Sequence, residues 1–282
     1  MKIAVIAPGM MGAGVAQRLR ARGAEVAMTL AGRSPASAAR AAGMVLMPDE
    51  AALADWADVI LSIVPPGEAA ALAGRLGPTL RDRRGRAGAI YADCNAVAPA
   101  TVQAIAASLP GTEVVDIGII GGPPKGDDAG PRLYASGDSA ARLAPLAGWG
   151  IDLRPIEGGI GAASALKMSY AGITKGLTAL GSAMALGAVR SGAAAALHAE
   201  LEFSQPMLLR YFERAVPDMF DKAYRWVAEM EEISNFLDAT PAAPIYTGVA
   251  DLYGAIAADR AAPEPGGMVA TLTAFYAKEL RA

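Results

Sequence analysis

The residues with the clearest chemical implication stand at the start of the chain, where Pro8-Gly9-Met10-Met11-Gly12 follows the apolar run Ile3-Ala4-Val5-Ile6. A strand, a tight glycine turn and a helix start in that order gather unpaired backbone N–H groups and the positive end of a helix dipole, which together receive phosphate. Against the pattern Gly-x-Gly-x-x-Gly, Gly9 and Gly12 match while Ala7 stands at the first position. The middle glycine lets the backbone approach a pyrophosphate, and the last lets the helix pack closely on its strand. Gly9, Met10, Met11 and Gly12 are therefore expected to hold a dinucleotide. The second apolar run ends in Thr29-Leu30-Ala31-Gly32-Arg33-Ser34. A preference for NAD would put an acidic side chain there, on the ribose 2′-hydroxyl, and none is present. Arg33 brings a guanidinium whose fork suits a phosphate, and Ser34 adds a hydroxyl. Both are expected to hold the 2′-phosphate of NADP(H).

Other chemistry is excluded by what the chain lacks. A single cysteine, Cys94, rules out an intrachain disulfide or a thiolate cluster, and a single histidine, His198, rules out a histidine-rich metal site. No Gly-x-Ser-x-Gly elbow accompanies that histidine, so a Ser-His-Asp hydrolase is not supported; His198 reads as a packed or surface residue. The formal charge of −3 leaves no broad basic surface for nucleic acid or an anionic membrane. Arg81, Arg83, Arg84 and Arg86, interrupted by Asp82 and Gly85, read as a solvated helix end and loop. The apolar start is cut short by Pro8-Gly9, unlike a signal peptide, and the Gly/Ala-rich stretch 176–197 is broken by Arg190. The expectation is a soluble, cytoplasmic protein with no metal, taking a small-molecule substrate.

These residues need a scaffold, and 282 residues with 53% hydrophobic composition supply one. Short apolar runs at 2–6, 25–29, 59–63, 89–92, 113–116, 132–136 and 152–155 alternate with helical patterns at 12–22, 37–42, 69–76, 99–108 and 139–146. That alternation predicts βαβ units and a mostly parallel sheet. From Gly158 onward strand signals cease and long helical patterns follow, at 164–190 and at 218–237. In the latter, Met219, Ala223, Val227, Met230, Ile233 and Leu237 form an amphipathic stripe. The fold class is thus α/β: a Rossmann-like, doubly wound sheet over residues 1–157, then an all-helical substrate and dimerisation domain over 158–282. Gly176, Ala179, Gly181, Ala183, Ala185 and Gly187 admit another helix closely, either from the same chain or from a second subunit, and a homodimer is expected.

With these features in place, the chain resembles the β-hydroxyacid dehydrogenase and 6-phosphogluconate dehydrogenase superfamily, in the branch of NAD(P)-dependent dehydrogenases with a C-terminal domain of unknown function. Four segments carry the resemblance. The turn through Met10-Met11-Gly12 resembles the cofactor fingerprint, and Asp93-Cys94-Asn95-Ala96-Val97-Ala98-Pro99 resembles the substrate loop Asp-x-Ser-Thr-x-x-Pro. Asp116-Ile117-Gly118-Ile119-Ile120-Gly121-Gly122 stands where the family has Asp-Ala-Pro-Val-Ser-Gly-Gly. Gly159-Ile160-Gly161 followed by Lys167 resembles the interdomain helix with the catalytic lysine.

The resemblance implies hydride transfer between a nicotinamide and a substrate carbon, with Lys167 handling the proton on the attached oxygen. It also implies that Val64-Pro65-Pro66 lies along the cofactor, and that Asn95 serves substrate or the nicotinamide carboxamide. Gly121 and Gly122 then offer N–H groups to a carboxylate. The departures are informative. Ala171 replaces an asparagine one turn after the lysine, leaving Tyr170 as the neighbouring polar group, either for proton transfer or as a core aromatic. Ile120 replaces a serine, which makes the pocket beside Ile119 and Ile120 more apolar. Glu231 and Glu232 stand where a cofactor-contacting Lys-Asp pair is usual, and read either as helix-surface residues or as members of the substrate site. Three functions follow from this reading: an NADP-dependent dehydrogenase or reductase of a hydroxy acid or related carbonyl compound, an imine reductase, or a catalytically silent NADP-binding sensor.

Overall fold

The computed structural model describes residues 1–83, 88–126 and 128–277. In chain order its first part runs β1 (Lys2–Ile6), α1 (Met10–Ala21), β2 (Glu25–Thr29), α2 (Pro35–Arg40), β3 (Val45–Met47), α3 (Glu50–Trp56), β4 (Val59–Ser62), α4 (Ala69–Arg81), β5 (Ile90–Asp93), α5 (Pro99–Ser108), β6 (Glu113–Ile120), β7 (Arg132–Ser136), α6 (Pro145–Gly148) and β8 (Asp152–Pro155). The strands form one sheet in the order β3-β2-β1-β4-β5-β6-β7-β8. The first six are parallel in the doubly wound order; β7 returns antiparallel to β6, and β8 runs parallel to β7.

Residues β1, β4 and β5 read as continuous apolar runs because helices cover the sheet on both faces. On one face Ile3, Val5, Leu61, Ile117, Ile119 and Leu133 pack with Val15, Ala16 and Leu19 of α1. On the other, Ala4, Ile6, Ile60 and Tyr91 pack with Leu53, Leu72, Leu76, Val102 and Ile105. Three expectations change. β3 and α3 were not anticipated, since three mostly exposed edge residues carry no alternation to detect. β6 runs on from 116 to Ile120, through a glycine. The helix expected over 139–146 is a 3₁₀ turn (Ala140–Leu143) and then α6, which Pro145 opens at its first position. Of the arginine run, Arg81 ends α4 and is exposed, whereas Arg84 and Arg86 lie outside the described residues.

The remaining helices are α7 (Ala162–Arg190), α8 (Ala194–Ser204), α9 (Pro206–Phe220), α10 (Ala223–Phe236), α11 (Ala243–Ala261) and α12 (Met268–Tyr276). The chain divides into two compact units, Met1–Met168 and Ser169–Ala282. The junction expected at 157/158 precedes α7, whereas this division falls inside it, because the first turns of α7 are fastened to the sheet as described below.

Within the second unit the small residues of α7 receive rings. A Cβ on Gly172 would lie 2.9 Å from the Tyr246 hydroxyl, and one on Gly181 would lie 2.5 Å from the Phe212 ring. Tyr211, Tyr253 and Tyr276 donate hydrogen bonds to the α7 carbonyls of Thr174, Lys175 and Gly181, at 2.6, 2.6 and 3.0 Å. Lys175 pairs with Glu229 and lies over the Trp226 ring. His198 is buried edge-on to Phe275, its Nε2 without a partner among the described residues. The helix expected over 218–237 is broken between Phe220 and Ala223, although Met219, Ala223, Met230 and Ile233 of its stripe are all buried. Along the exposed side of α7, Ile173, Leu180 and Met184 stay 69%, 59% and 59% accessible. No helix of the described residues is long and apolar enough to cross a membrane, and no group of three or more His, Cys, Asp or Glu among them could hold a metal ion.

Candidate functional site

The glycine turn divides its labour between two residues. A Cβ on Gly12 would collide with the Ala7 carbonyl, so this glycine lets α1 sit on β1; a Cβ on Gly9 would meet nothing within 4 Å. Open space therefore lies beside the backbone at Gly9, which is the N-cap of α1 and brings no capping side chain. The first N–H groups of α1, at Met10, Met11 and Gly12, have no intrahelical partner. Met10 is exposed and Met11 partly buried against the core.

At the end of β2, Gly32 takes a left-handed conformation (φ 69°) that turns Arg33 and Ser34 toward α2. Ser34 is the N-cap of α2, accepting from the Ser37 N–H at 3.2 Å. Arg33 donates to Glu50 at 3.3 Å while its Nε is buried with no partner among the described residues. Glu50 also binds Arg75, at 2.8 Å from Nε. An acidic group thus does stand beside this corner, brought by α3 rather than by β2. Sequence reasoning also missed Arg40, whose Nε donates to the Pro8 carbonyl at 2.9 Å and whose terminal nitrogen reaches Ser37 at 3.1 Å. A second guanidinium is thereby tied to the glycine turn.

Val64-Pro65-Pro66 follows β4, and Pro66 opens a 3₁₀ turn through Glu68. This loop is tied to the one after β5 by Asn95. Its Oδ1 accepts from the Val64 N–H at 2.7 Å, and its Nδ2 donates to Ser62 at 3.0 Å and to Asp93 at 2.9 Å. Asn95 is 3% exposed. Both ends of the side chain are hydrogen-bonded to the two loops. Asp93 is fully buried. Burial raises its pKa from 3.8 to about 6; hydrogen bonds from Asn95 oppose the rise, and the neighbouring Asp116 adds to it. Cys94 points to the opposite face, into the core that α1 covers, its thiol pushed well up by burial, with the Asp93 and Asp116 carboxylates adding to the rise.

The start of α7 is docked by two β-strand side chains. Asp116 Oδ2 accepts from the N–H groups of Gly161 at 3.0 Å and Ser164 at 2.9 Å, and Oδ1 accepts from the Ser164 hydroxyl at 2.7 Å. Ser136 accepts from the Ala163 N–H at 3.0 Å. A carboxylate under a helix N-terminus is favoured by the dipole as well as by these bonds. Gly118, two residues on and facing the same way, completes the fit: a Cβ there would lie 2.5 Å from the Ala163 carbonyl and 3.2 Å from Lys167 Cβ. Lys167 is thereby set directly over β6, half-buried. Tyr170 follows one turn later, 46% exposed, and Ala171 is buried. The two isoleucines separate. Ile120 shares its face with Asp116 and Gly118, toward α7, whereas Ile119 belongs to the opposite core with Val5 and Leu133.

Gly121 (φ 129°) and Gly122 leave the sheet beyond Ile120, Gly121 lying against Pro131. The connection to β7 then folds back on α1: Arg18 donates to the Gly126 carbonyl at 2.9 Å and to Asp128 at 2.6 Å, and Pro124 lies against Gly14. Arg18 gave no signal in sequence, since a charge on a helix reads as solvated. Glu231 is exposed on α10.

Residues 2–144 match the family model described as the NAD binding domain of 6-phosphogluconate dehydrogenase, and residues 188–256 match a domain of unknown function, DUF1932. Among solved structures, the chain is similar to the conserved protein MTH1747, itself of unknown function and described as structurally similar to 3-hydroxyacid dehydrogenases. That match has 28% identity over 93% of this chain and 98% of the other, with a TM-score of 0.71. A 3-hydroxyisobutyrate dehydrogenase from Mycobacterium tuberculosis has the same fold at 20% identity over 100% and 99% of the two chains, with a TM-score of 0.73. An imine reductase from Myxococcus stipitatus, solved with NADP+, shares it at 19% identity over 98% and 100%, with a TM-score of 0.54. No curated protein matches by sequence.

Proposed function

The chain belongs to the family of the 6-phosphogluconate dehydrogenase NAD binding domain, and from that premise we propose that it is an NADP-dependent oxidoreductase of a hydroxy acid or related carbonyl compound, with Lys167 as proton donor and acceptor. The single observation that carries this reading is the seat of Lys167 over Gly118, toward the carboxyl end of β6. In a doubly wound sheet ligands gather at that end of the strands, where the Gly9 turn also lies.

The residues fit a dinucleotide. Open space at Gly9 and the first N–H groups of α1 suit a pyrophosphate, and the unpartnered Nε of Arg33 suits a further phosphate. When bound, NADP(H) supplies or accepts the hydride. The chain does the rest. Gly9, Met10, Met11 and Gly12 hold the pyrophosphate, while Arg33 and Ser34 take the 2′-phosphate, with Arg40 beside them. Val64, Pro65 and Pro66 flank the cofactor, held in place by Asn95, which acts as a positioning residue. The Lys167 ammonium donates its proton to the substrate oxygen, or in reverse the amine accepts it. Tyr170, one turn on, assists that transfer. Gly121 and Gly122 offer N–H groups to substrate, and Ile120 gives the pocket an apolar wall.

The test is NADPH oxidation across 3-oxo acids, semialdehydes, aryl ketones and cyclic imines, with Lys167→Ala alongside. Turnover of a carbonyl compound should fall about 10²–10⁴-fold in the variant, with NADPH binding unchanged; turnover indifferent to the substitution refutes the mechanism. The buried Ile120 and Ala171, both apolar where polar groups are usual, favour imine reduction as the second reading. NADPH binding with no turnover of any class would favour a sensor. We further propose that the protein works as a homodimer through the exposed apolar side of α7, together with Ile245 of α11.

A further inference from the structure

Arg132 opens β7 directly opposite Ile120 in the antiparallel register, so its side chain shares the face of Ile120, Gly118 and Asp116 on which Lys167 lies. It stands at the ligand-binding end of β6, beside Pro131, against which Gly121 packs. The separation from Gly118 is about 7 Å along the strand and about 5 Å across. Lys167 and Arg132 can thus reach one small molecule from two sides.

The Arg132 guanidinium feels the Asp152 carboxylate across the strands but spends no Nε hydrogen bond on it. Its natural counter-ion is Asp152, opposite it on β8. Both Asp152 oxygens are already taken by Arg154, each at 2.9 Å. Arg132 Nε is buried, with no hydrogen-bond partner among the described residues. A buried donor on a permanent cation is costly to leave unmet, and a carboxylate meets it with two parallel bonds. The other described carboxylates of this face are committed elsewhere, Asp116 to the start of α7 and Asp93 to Asn95.

We propose that Arg132 is a specificity-determining residue of the substrate site, the anion receptor that selects an acid over its neutral ester. This rests on the oxidoreductase reading for the position of the reacting carbon, but not for the binding of the anion. Gly121 and Gly122 add N–H donors to the same group, and the apolar Ile120 fills the space between the carboxylate and the carbon chain.

The experiment compares short 3-oxo acids with their methyl esters, using the NADPH-loaded protein. The acids should exceed the esters in kcat/KM by about tenfold or more. Arg132→Met should lower the acids about 10–100-fold, leave the esters within about twofold, and so erase the preference. Arg132→Lys should restore part of it, which shows that the site still folds. Equal losses for acid and ester, or an unchanged ratio, overturn the proposal. Calorimetric titration of the same acids into NADPH-loaded Lys167→Met and into the Lys167→Met/Arg132→Met double variant reads binding without turnover. Binding lost with Arg132 supports the proposal even if no substrate turns over, in which case the oxidoreductase reading alone fails. Lys167-dependent turnover of neutral ketones, with no binding of acids, sinks the anion receptor alone.

Discussion

Arg33 meets a carboxylate within its own unit, since Glu50 takes one of its terminal nitrogens while binding Arg75 as well. The pair leaves Nε unmet and fixes the plane of the guanidinium, so less freedom remains to be lost when a phosphate arrives. Arg33→Ala should therefore raise the KM for NADPH by about tenfold or more, from roughly 1.5–3 kcal/mol for a charged hydrogen bond, and that for NADH far less. Equal effects on both would refute the assignment. Asp93 allows a test by pH. Its folded pKa, about 6, lies above the ordinary 3.8, so the folded state carries the full cost of the charge above pH 6 and sheds it as pH falls toward 3.8. Relative to Asp93→Asn, the native protein should gain roughly 1–3 kcal/mol of stability between pH 7.5 and pH 5, read by urea denaturation; a gap independent of pH would show that Asp93 is not strained by its burial. At this scale sequence had mixed success. The strand, turn and helix start around Gly9, and the close packing at Gly12, were legible because they depend on order along the chain. The contacts of Glu50, Arg40 and Ser136 were not, because each is brought to its partner by the sheet order and no local spacing encodes that.

Among elements, β6 does most of the positioning, and it does so through residues that look wrong for a strand. A buried Asp116 and a side-chain-less Gly118 make sense only against the start of α7, which needs a carboxylate under its N–H groups and room for its backbone. That is why the strand was expected to stop at 116: its second half lacks the alternation that marks a strand, and the close approach of a helix cannot be read from one segment. The parallel strands themselves were legible as apolar runs, while β3 was too short and exposed to register. Gly118→Ala should displace the first turns of α7 and cost about 1–3 kcal/mol in stability. Its kcat should fall more than its affinity for NADPH, checked by fluorescence titration and steady-state kinetics. The connection after β6 is held by Arg18 on the helix that begins at the glycine turn. With Arg18→Ala, trypsin should cut after the exposed Lys125 several times faster than in the native protein; an unchanged rate would mean that Arg18 does not hold the connection.

For the whole molecule, the two units differ in how far sequence could describe them. The sheet unit follows rules of alternation and order, and its architecture was predicted. The helical unit follows only where rings and small residues meet, so the Gly/Ala richness of α7 was legible as close packing while its partners, Tyr246 and Phe212, were not. Those rings answer part of the expectation that a second subunit covers α7, and the exposed Ile173, Leu180 and Met184 leave the rest to the proposed dimer. Sedimentation at micromolar concentration should give a dimer, and Leu180→Glu with Ile173→Glu should give a folded monomer with unchanged circular dichroism. A native monomer would dismiss that assembly.

Cys94 turns the core at the end of β5 into a clock. As the chain's one thiol, buried in the core that α1 covers and disfavoured as a thiolate, it can meet a labelling reagent only when that packing opens. The rate of its modification therefore counts openings of the packing around the end of β5 in the untouched protein, with no probe to be introduced. Any ligand that braces Val64 and Asn95 should slow that count, whether or not it is ever turned over.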